Sequence, residues 1–415
     1  MRSVPISSEL FTRNRAKLVK MLPDCALAVL SSNPQMPRNG DQFYPYRQHS
    51  DFFYLTGISQ QGSLLVISAG VTALFIRKPD PKTLLWSGSL LTMEAAAALS
   101  GIAEIRWLDE VDGFLEKELQ RAGSLLMNQL PDMKLYEKIT TQHPFVKRAN
   151  PEPMMTRLRM IKEPEEVEEI RKASAITRSA FLRVLNTLKP GMREYEVEAE
   201  LAAEFISKGA NGNAFEPIIA SGSNALVLHY VENDGWLREG DLLLMDFGAE
   251  WNNYAADCSR TIPVGGKFTP RQRVLYNSVY HIFLKARELM VPGTNMGEFH
   301  NHVGELWEEQ HIALGLYTID EARECRLSDP LWKRYFMHGT SHSLGMDVHD
   351  PFDRSESFAP GMVLTCEPGI YIQEEGIGIR LENDILITEN GPVDLMADIP
   401  IEACEIEDLM QSNLV

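Results

Sequence analysis

Glu367 and Glu382 stand inside apolar, β-prone runs, MVLTCEPGIYI and IGIRLENDILI, where a solvated carboxylate has no reason to be. The polar linker QEEG between those runs reads as a hairpin turn. A turn centred on Glu374 and Glu375 sets Glu367 opposite Glu382 on one sheet face. Like charges across a strand pair destabilise it unless something positive lies between them. Arg380 shares the face by parity and supplies part of that charge; a metal ion is the fuller answer. The surrounding stretch Phe336–Asp384 also carries His338, His342 and His349, in FMHGTSHSLGMDVHD.

The same pattern occurs earlier. DLLLMDFGAEWNNYAADCSRTIPV reads as an apolar strand, a polar turn at Trp251–Asn253 and a second strand. An even-length turn near Asn252 places Asp246 and Asp257 on one face as direct or diagonal cross-strand neighbours. Any one of these acids alone is more often an edge or turn residue than a ligand. Four of them flanked by apolar strand residues cannot all be buried unpaired at low cost. Four carboxylates and one imidazole are ligands suited to a paired divalent site.

Composition bounds the classes that remain. A chain of 415 residues suits two or three domains, and 44% hydrophobic with 24% charged residues is ordinary for a globular protein. The net charge of −18 argues against nucleic acid or an anionic membrane as partner. No apolar run approaches the ~20 residues that span a bilayer. The start, MRSVPISSELFTRNRAKLVK, lacks the apolar core of a signal peptide, and the five cysteines are scattered without a CxxC pair. Reduced thiols in a cytoplasm are expected.

In chain order, Ser8–Met21 reads as an amphipathic helix and ALAVLSS as a buried strand. SLLVISA and TALFIRK follow as paired strands, and LLTMEAAAALSG as a helix closed by Gly101. IRWLDEVDGFLEKELQRAG reads as a strand edge and a helix, and SLLMNQL as a further strand. The proline-broken stretch around residue 155 marks a domain boundary, giving an α/β domain over 1–155 and an α+β domain over 156–415. The second opens with a helix at Pro164, whose first-turn glutamates 165, 166, 168 and 169 read as a solvated face. A helix from Glu194 to about Lys208 follows. EPIIASGSNALVLHY then reads as strand, glycine turn and strand, with His229 at its end. Helices over Pro270–Met290 and from Met296 to about Leu314 separate the two acid-bearing hairpins. Helices then hairpin, twice over, suggests two similar halves with the site between them.

Asp246, Asp257, His342, Glu367 and Glu382, in that order and setting, resemble the five metal ligands of the pita-bread metallopeptidases. HGTSHSLGMDVHD is closer to the proline-specific branch, aminopeptidase P and prolidase, than to methionine aminopeptidase, and YRQHSDFFYLTG resembles the leading domain of aminopeptidase P. The resemblance covers nearly the whole chain. It implies a C-terminal pita-bread domain behind an α/β N-terminal domain, with Asp257 and Glu382 bridging two metals. Asp246 would complete one ion, with His342 and Glu367 on the other. His229, His338, His349 and Arg380 match positions lining the substrate site. The chain departs from the pattern after His349, where HDPFDRSES replaces a more usual glycine-containing continuation; this bears on loop shape and substrate fit.

The reaction expected from the resemblance is that of an Xaa-Pro aminopeptidase, acting on peptides with proline in second position. Water acidified by two divalent ions is a nucleophile at neutral pH. Glu367 is placed to relay its proton, and His349 and His338 to donate to the developing oxyanion. Manganese is expected because carboxylates outnumber imidazole, with cobalt and zinc as alternatives. Prolidase action on Xaa-Pro dipeptides, organophosphate hydrolysis and a non-catalytic binding role are the competing readings. The resemblance also implies a dimer or tetramer.

Overall fold

A computed structural model describes residues 4–411 apart from 89, 129 and 326–328. The chain divides into two compact units, the first ending at Arg159 and the second beginning at Met160. The helix Glu152–Met160 spans the proline-containing stretch, and the division falls at its end.

The first unit is built on a six-stranded mixed sheet. Its order is Glu104–Trp107, Thr72–Ile76, Leu64–Ile67, Ala26–Ser31, Ser124–Leu126 and Lys147–Ala149. Leu64–Ile67 pairs antiparallel with both of its neighbours, as SLLVISA and TALFIRK suggest, and the outer strands join in parallel. Leu27, Val29, Leu64, Val66 and Phe75 form the core between sheet and helices. The opening helix spans Ser8–Met21, and Met93–Ser100 closes on Gly101 at a φ of 68°. Of the expected SLLMNQL strand, Ser124–Leu126 is observed, while Gln129 lies outside the described residues.

The second unit is α+β, and its elements recur. The helices Pro164–Thr187 and Glu194–Ser207 precede one hairpin, and Pro270–Leu289 and Met296–Ala313 precede the other. Val167, Ile170, Ser174, Thr177, Phe181 and Val184 form the buried stripe of the first helix, the face that its 3.6-residue periodicity marks. Phe181 stacks on Phe247 of the first hairpin, ring centroids 6.1 Å apart.

Both hairpins hold the expected register, and one breaks at Asp257, the other at Glu367 and Glu382. In the first, Leu242–Phe247 pairs with Cys258–Pro263, Asp246 facing Ser259. Asn252 and Asn253 form the turn with φ of 51° and 65°, the left-handed pair that a two-residue hairpin requires. Asp257 is therefore a diagonal neighbour of Asp246. The ladder parts at Gly248, and Thr177 Oγ1 takes the freed N–H of Ala249 at 3.0 Å. In the second hairpin, Val363–Cys366 pairs with Asn383–Thr388, and Gly369–Ile372 with Ile377–Arg380. One register runs through both ladders, so Glu367 and Glu382 are opposite by register. They sit in the gap between ladders, where the Glu382 N–H turns away to Ser259 O at 3.1 Å.

Two expectations are corrected. LVLHY forms no strand: Gly222–Leu226 is a 3₁₀ turn and His229 lies exposed in the turn that follows. The chain leaves the sheet at Ser221 because Gly222 takes a φ of 54° and Ser221 and Asn224 are drawn to Glu194. Nor are Glu166 and Glu169 solvated; both are buried. Glu166 accepts from the Glu163 N–H and from Tyr254 OH at 3.1 Å, and Glu169 from Asn252 Nδ2 at 2.7 Å. They anchor the first hairpin's turn to the helix, and burial pushes the Glu166 carboxyl up to about 7.

The hairpin break depends on a close approach. A Cβ at Gly248 would lie 1.7 Å from the Ala256 carbonyl oxygen. Gly248→Ala is expected to destabilise the second unit by about 3 kcal/mol, read as a lower urea midpoint. Gly113, in the helix Val111–Leu119 with open space around it, is the control, and its alanine variant is expected to gain about 0.5–1 kcal/mol. A Gly248→Ala midpoint equal to wild type would show that the break relaxes freely.

Candidate metal centre

The two hairpins bring five carboxylates together: Asp246, Asp257, Glu367, Glu382 and Asp384. Asp257, Glu382 and Asp384 are buried, and Asp246 and Glu367 are half-buried. Donor atoms of Asp257, His342 and Glu382 lie within 4.8 Å of one another. His342 Nε2 is 3.3 Å from Asp257 Oδ2 and 3.7 Å from Glu367 Oε1. Donors about 2.1 Å from a common ion sit a few ångströms apart, so a small contraction would close this set on a cation.

Three carboxylate oxygens, Asp246 Oδ1, Asp257 Oδ1 and Asp384 Oδ1, are buried without a hydrogen-bond partner among the described residues. Buried acceptors of this kind are costly unless a donor or cation satisfies them. Burial first, and then mutual repulsion, raise Asp257 and Glu382 well above the usual carboxylate range. Burial also raises Glu367, although His342 and Arg380 oppose it. Carboxylates with one imidazole are donors for a hard or borderline divalent ion, and the residues present fit one.

His342 reaches the acids from an irregular segment. HGTSHSLGMDVH is neither helix nor strand; an isolated bridge joins Ser343 to Leu364 of the Val363–Cys366 strand. His342 O accepts from the Thr365 N–H, and the His342 N–H donates to Thr365 Oγ1 at 3.0 Å. His342 Nδ1–H donates to Ser343 O at 3.1 Å, which leaves Nε2 free to accept toward the acids. Burial pulls this imidazole down, but the carboxylates of Glu367 and Glu382 outweigh it and hold its pKa above the ordinary value.

Arg380 balances the opposite side. It donates from Nη2 to Asp246 Oδ2 at 2.7 Å, from Nε to Ser259 Oγ at 2.9 Å and from Nη1 to Tyr371 OH at 2.9 Å. Tyr371 OH is also 2.9 Å from His338 Nε2, and His338 Nδ1 is 2.8 Å from Gly339 O. The relay Arg380 to Tyr371 to His338 to Gly339 O follows, with Nδ1 protonated. Burial, then Arg380, push the His338 pKa down to about 3, so the ring is neutral. His338 Nδ1 stands 3.5 Å from Glu367 Oε2. His349 is exposed and its ring packs 4.3 Å from that of His342. Leu228 and Tyr230, on either side of His229, pack against the cluster that holds Tyr371.

Sequence reasoning missed the residues that hold these groups. Asp384 Oδ2 accepts the Asp257 N–H at 3.2 Å, and Ser259 Oγ donates to Glu382 Oε2 at 2.7 Å. Arg260, fully buried, donates to the carbonyls of Glu382 and Pro400 and to Asn383 Oδ1. Lys162 Nζ pairs with Asp350, next to His349, at 3.2 Å. Asp384 was the legible one, since it shares its parity with Glu382; Arg260 and Lys162 carry no signal in their local sequence.

Residues 168–389 match metallopeptidase family M24, and residues 11–127 match the aminopeptidase P N-terminal domain. The chain is 35% identical to the Xaa-Pro aminopeptidase of Escherichia coli K12, covering 98% of each. It is 31% identical to the mitochondrial intermediate cleaving peptidase 55 of Arabidopsis thaliana, over 98% of this chain and 84% of that one. The structure of zinc-substituted E. coli aminopeptidase P in complex with product superposes with a TM-score of 0.90 at 34% identity, covering 99% of both chains. The chain belongs to metallopeptidase family M24. Its fold is an α+β pita-bread domain preceded by an aminopeptidase P N-terminal domain.

A pH dependence follows from the acids. A carboxyl whose folded pKa is raised binds its proton where the unfolded chain has released it. Without a cation, the contribution of Asp257 and Glu382 to stability is greatest on the acid side and falls as pH rises from about 4.5 through their raised pKa values. A bound divalent ion removes that penalty. The gap in thermal midpoint between manganese-supplemented and chelator-treated protein is expected to widen from pH 5 to pH 8; a constant or narrowing gap overturns this cause.

Proposed function

We propose that this chain is an Xaa-Pro aminopeptidase that releases the N-terminal residue of peptides with proline in second position. The observation that carries the reading is the convergence of Asp257, His342 and Glu382 among buried acids. The similarity to the E. coli Xaa-Pro aminopeptidase along the full chain supports it. The first unit, ending at Arg159, forms the leading domain, and the second, from Met160, carries the reaction.

Asp246, Asp257, His342, Glu367 and Glu382 would hold two divalent ions, most simply manganese, with Asp257 and Glu382 shared between them. The ions when bound would supply an acidified water and polarise the scissile carbonyl. The remaining steps belong to the chain. Glu367, held at 3.2 Å by Thr365 Oγ1, takes the proton from the attacking water and delivers it to the leaving nitrogen. Asp246, paired with Arg380, receives the free amine of the substrate and confines cleavage to the N-terminus. His349, exposed beside His342, donates to the developing oxyanion. His229 and His338 line the substrate backbone, and Arg380 steadies Asp246 and, through Tyr371, His338.

No helix among the described residues is long and apolar enough to cross a membrane. Each of the five cysteines is a free thiol. A cytoplasmic enzyme acting as a dimer or tetramer is the reading we favour, and light scattering tests its assembly.

Chelation is expected to abolish hydrolysis and manganese or cobalt to restore it; full activity in exhaustively demetallated protein would sink the assignment. Asp257→Ala and Glu382→Ala are each expected to lose both ions, and metal analysis showing two ions in either variant would refute the shared role.

The histidines separate by class. His342→Ala is expected to lose or weaken one ion, whereas His229→Ala, His338→Ala and His349→Ala keep both and lower kcat, by about 10² where a transition-state hydrogen bond is lost. An empty site in His349→Ala beside a full one in His342→Ala would reverse the ligand assignment. Longer Xaa-Pro peptides are expected to be cleaved in preference to Xaa-Pro dipeptides; exclusive dipeptide hydrolysis would make the enzyme a prolidase.

A further inference from the structure

Glu194 takes no part in the metal centre, yet its residue is 0% exposed and carries a carboxylate. It opens the helix Glu194–Ser207, and five donors converge on it. Oε1 accepts from the Ser221 N–H at 2.7 Å, the Ser221 hydroxyl at 2.7 Å and Asn224 Nδ2 at 2.9 Å. Oε2 accepts from Tyr230 OH at 2.8 Å and the Gly235 N–H at 2.7 Å. Burial first, then the neighbouring carboxylate, push the Tyr230 phenol up to about 12, so it remains a donor at neutral pH. A Cβ at Gly235 would lie 2.8 Å from both carboxylate oxygens, so glycine is what lets that N–H approach.

All five donors belong to one segment, residues 221–235, which leaves the sheet at Ser221 and carries His229. A neutral side chain could tie such a segment down at lower desolvation cost. A buried carboxylate makes shorter and stronger bonds and fixes the positions of its donors more tightly. Tyr230, the residue after His229, is one of those donors. Ala225 of this segment lies in a buried cluster with Tyr371, the partner of His338, and Leu228 and Tyr230, on either side of His229, pack against that cluster.

We propose that Glu194 is a positioning residue for the substrate site, its carboxylate holding the 221–235 segment so that His229 is presented beside the Tyr371–His338 pair. The proposal rests on the reading of His229 as a substrate-contacting group. Glu194→Gln replaces one acceptor oxygen by an NH₂ group, which in either orientation meets two or three donors head-on.

The test is a double-mutant cycle on the full-length, manganese-loaded enzyme with an Xaa-Pro peptide. Glu194→Gln is expected to lower kcat by about tenfold to 10² with metal content unchanged, as a displaced catalytic geometry does. In the His229→Ala background the same substitution is expected to cost less than about twofold, because its effect passes through that ring. Tyr230→Phe removes a single donor, is expected to act in the same direction more weakly, and carries the cycle if Glu194→Gln does not fold. Multiplicative losses in the double variant would overturn the proposal, and so would a lowered thermal midpoint with kcat intact. A His229→Ala enzyme with unchanged kcat would instead remove the substrate role of His229, and with it the basis for Glu194.

Discussion

Repulsion among buried carboxylates is the constraint around which the second unit is arranged. Two unit charges about 4 Å apart at an effective dielectric of about 20 repel by ~4 kcal/mol. A whole domain is stable by only about 5–15 kcal/mol. Asp246, Asp257, Glu367, Glu382 and Asp384 therefore cannot all be ionised in a dry interior on the strength of packing alone. Arg380 neutralises Asp246, His342 faces Asp257 and Glu367, and backbone or hydroxyl donors reach Asp384, Glu367 and Glu382. What is left over, raised carboxyls and orphaned oxygens, is the demand that a divalent cation meets.

The backbone accommodates this demand in one way twice. Each hairpin keeps its register from end to end yet opens its ladder, at Asp257 in one and at Glu367 and Glu382 in the other. An intact ladder would place those side chains at ordinary cross-strand spacing and aim their backbone groups at each other. Opened, it frees N–H groups for other partners: Ala249 for Thr177, Asp257 for Asp384, Glu382 for Ser259. The last of these, with Arg260 donating to the Glu382 carbonyl, joins one hairpin to the other. The site is thus held by the seam between two halves and not by either half alone.

Around the acids, the histidines are sorted by their backbone neighbours. Ser343 O and Gly339 O each take an Nδ1–H, leaving Nε2 of His342 toward the carboxylates and Nε2 of His338 to the Tyr371 hydroxyl. A ring whose tautomer and orientation are set before substrate arrives needs no reorganisation during reaction. The segment that carries His229 is tied down in the same manner, through Glu194.

How much of this is legible in the chain depends on range. Local pattern determined the opening helix and the long helices of the second unit, their capping prolines, both hairpin turns and their registers. Periodicity and turn chemistry act within a dozen residues, so they can be read without a structure. Acids inside apolar strands also disclosed the centre, because a buried charge contradicts its own neighbourhood. Local pattern misjudged LVLHY, which is β-prone but is pulled into a turn by Glu194, and Glu166 and Glu169, whose acidic run looks solvated until the hairpin turn packs on it. Arg260, Lys162 and Tyr371 were invisible for the same reason. Their partners lie 122, 188 and 33 residues away in Glu382, Asp350 and His338, and only the folded chain brings those groups within hydrogen-bonding distance.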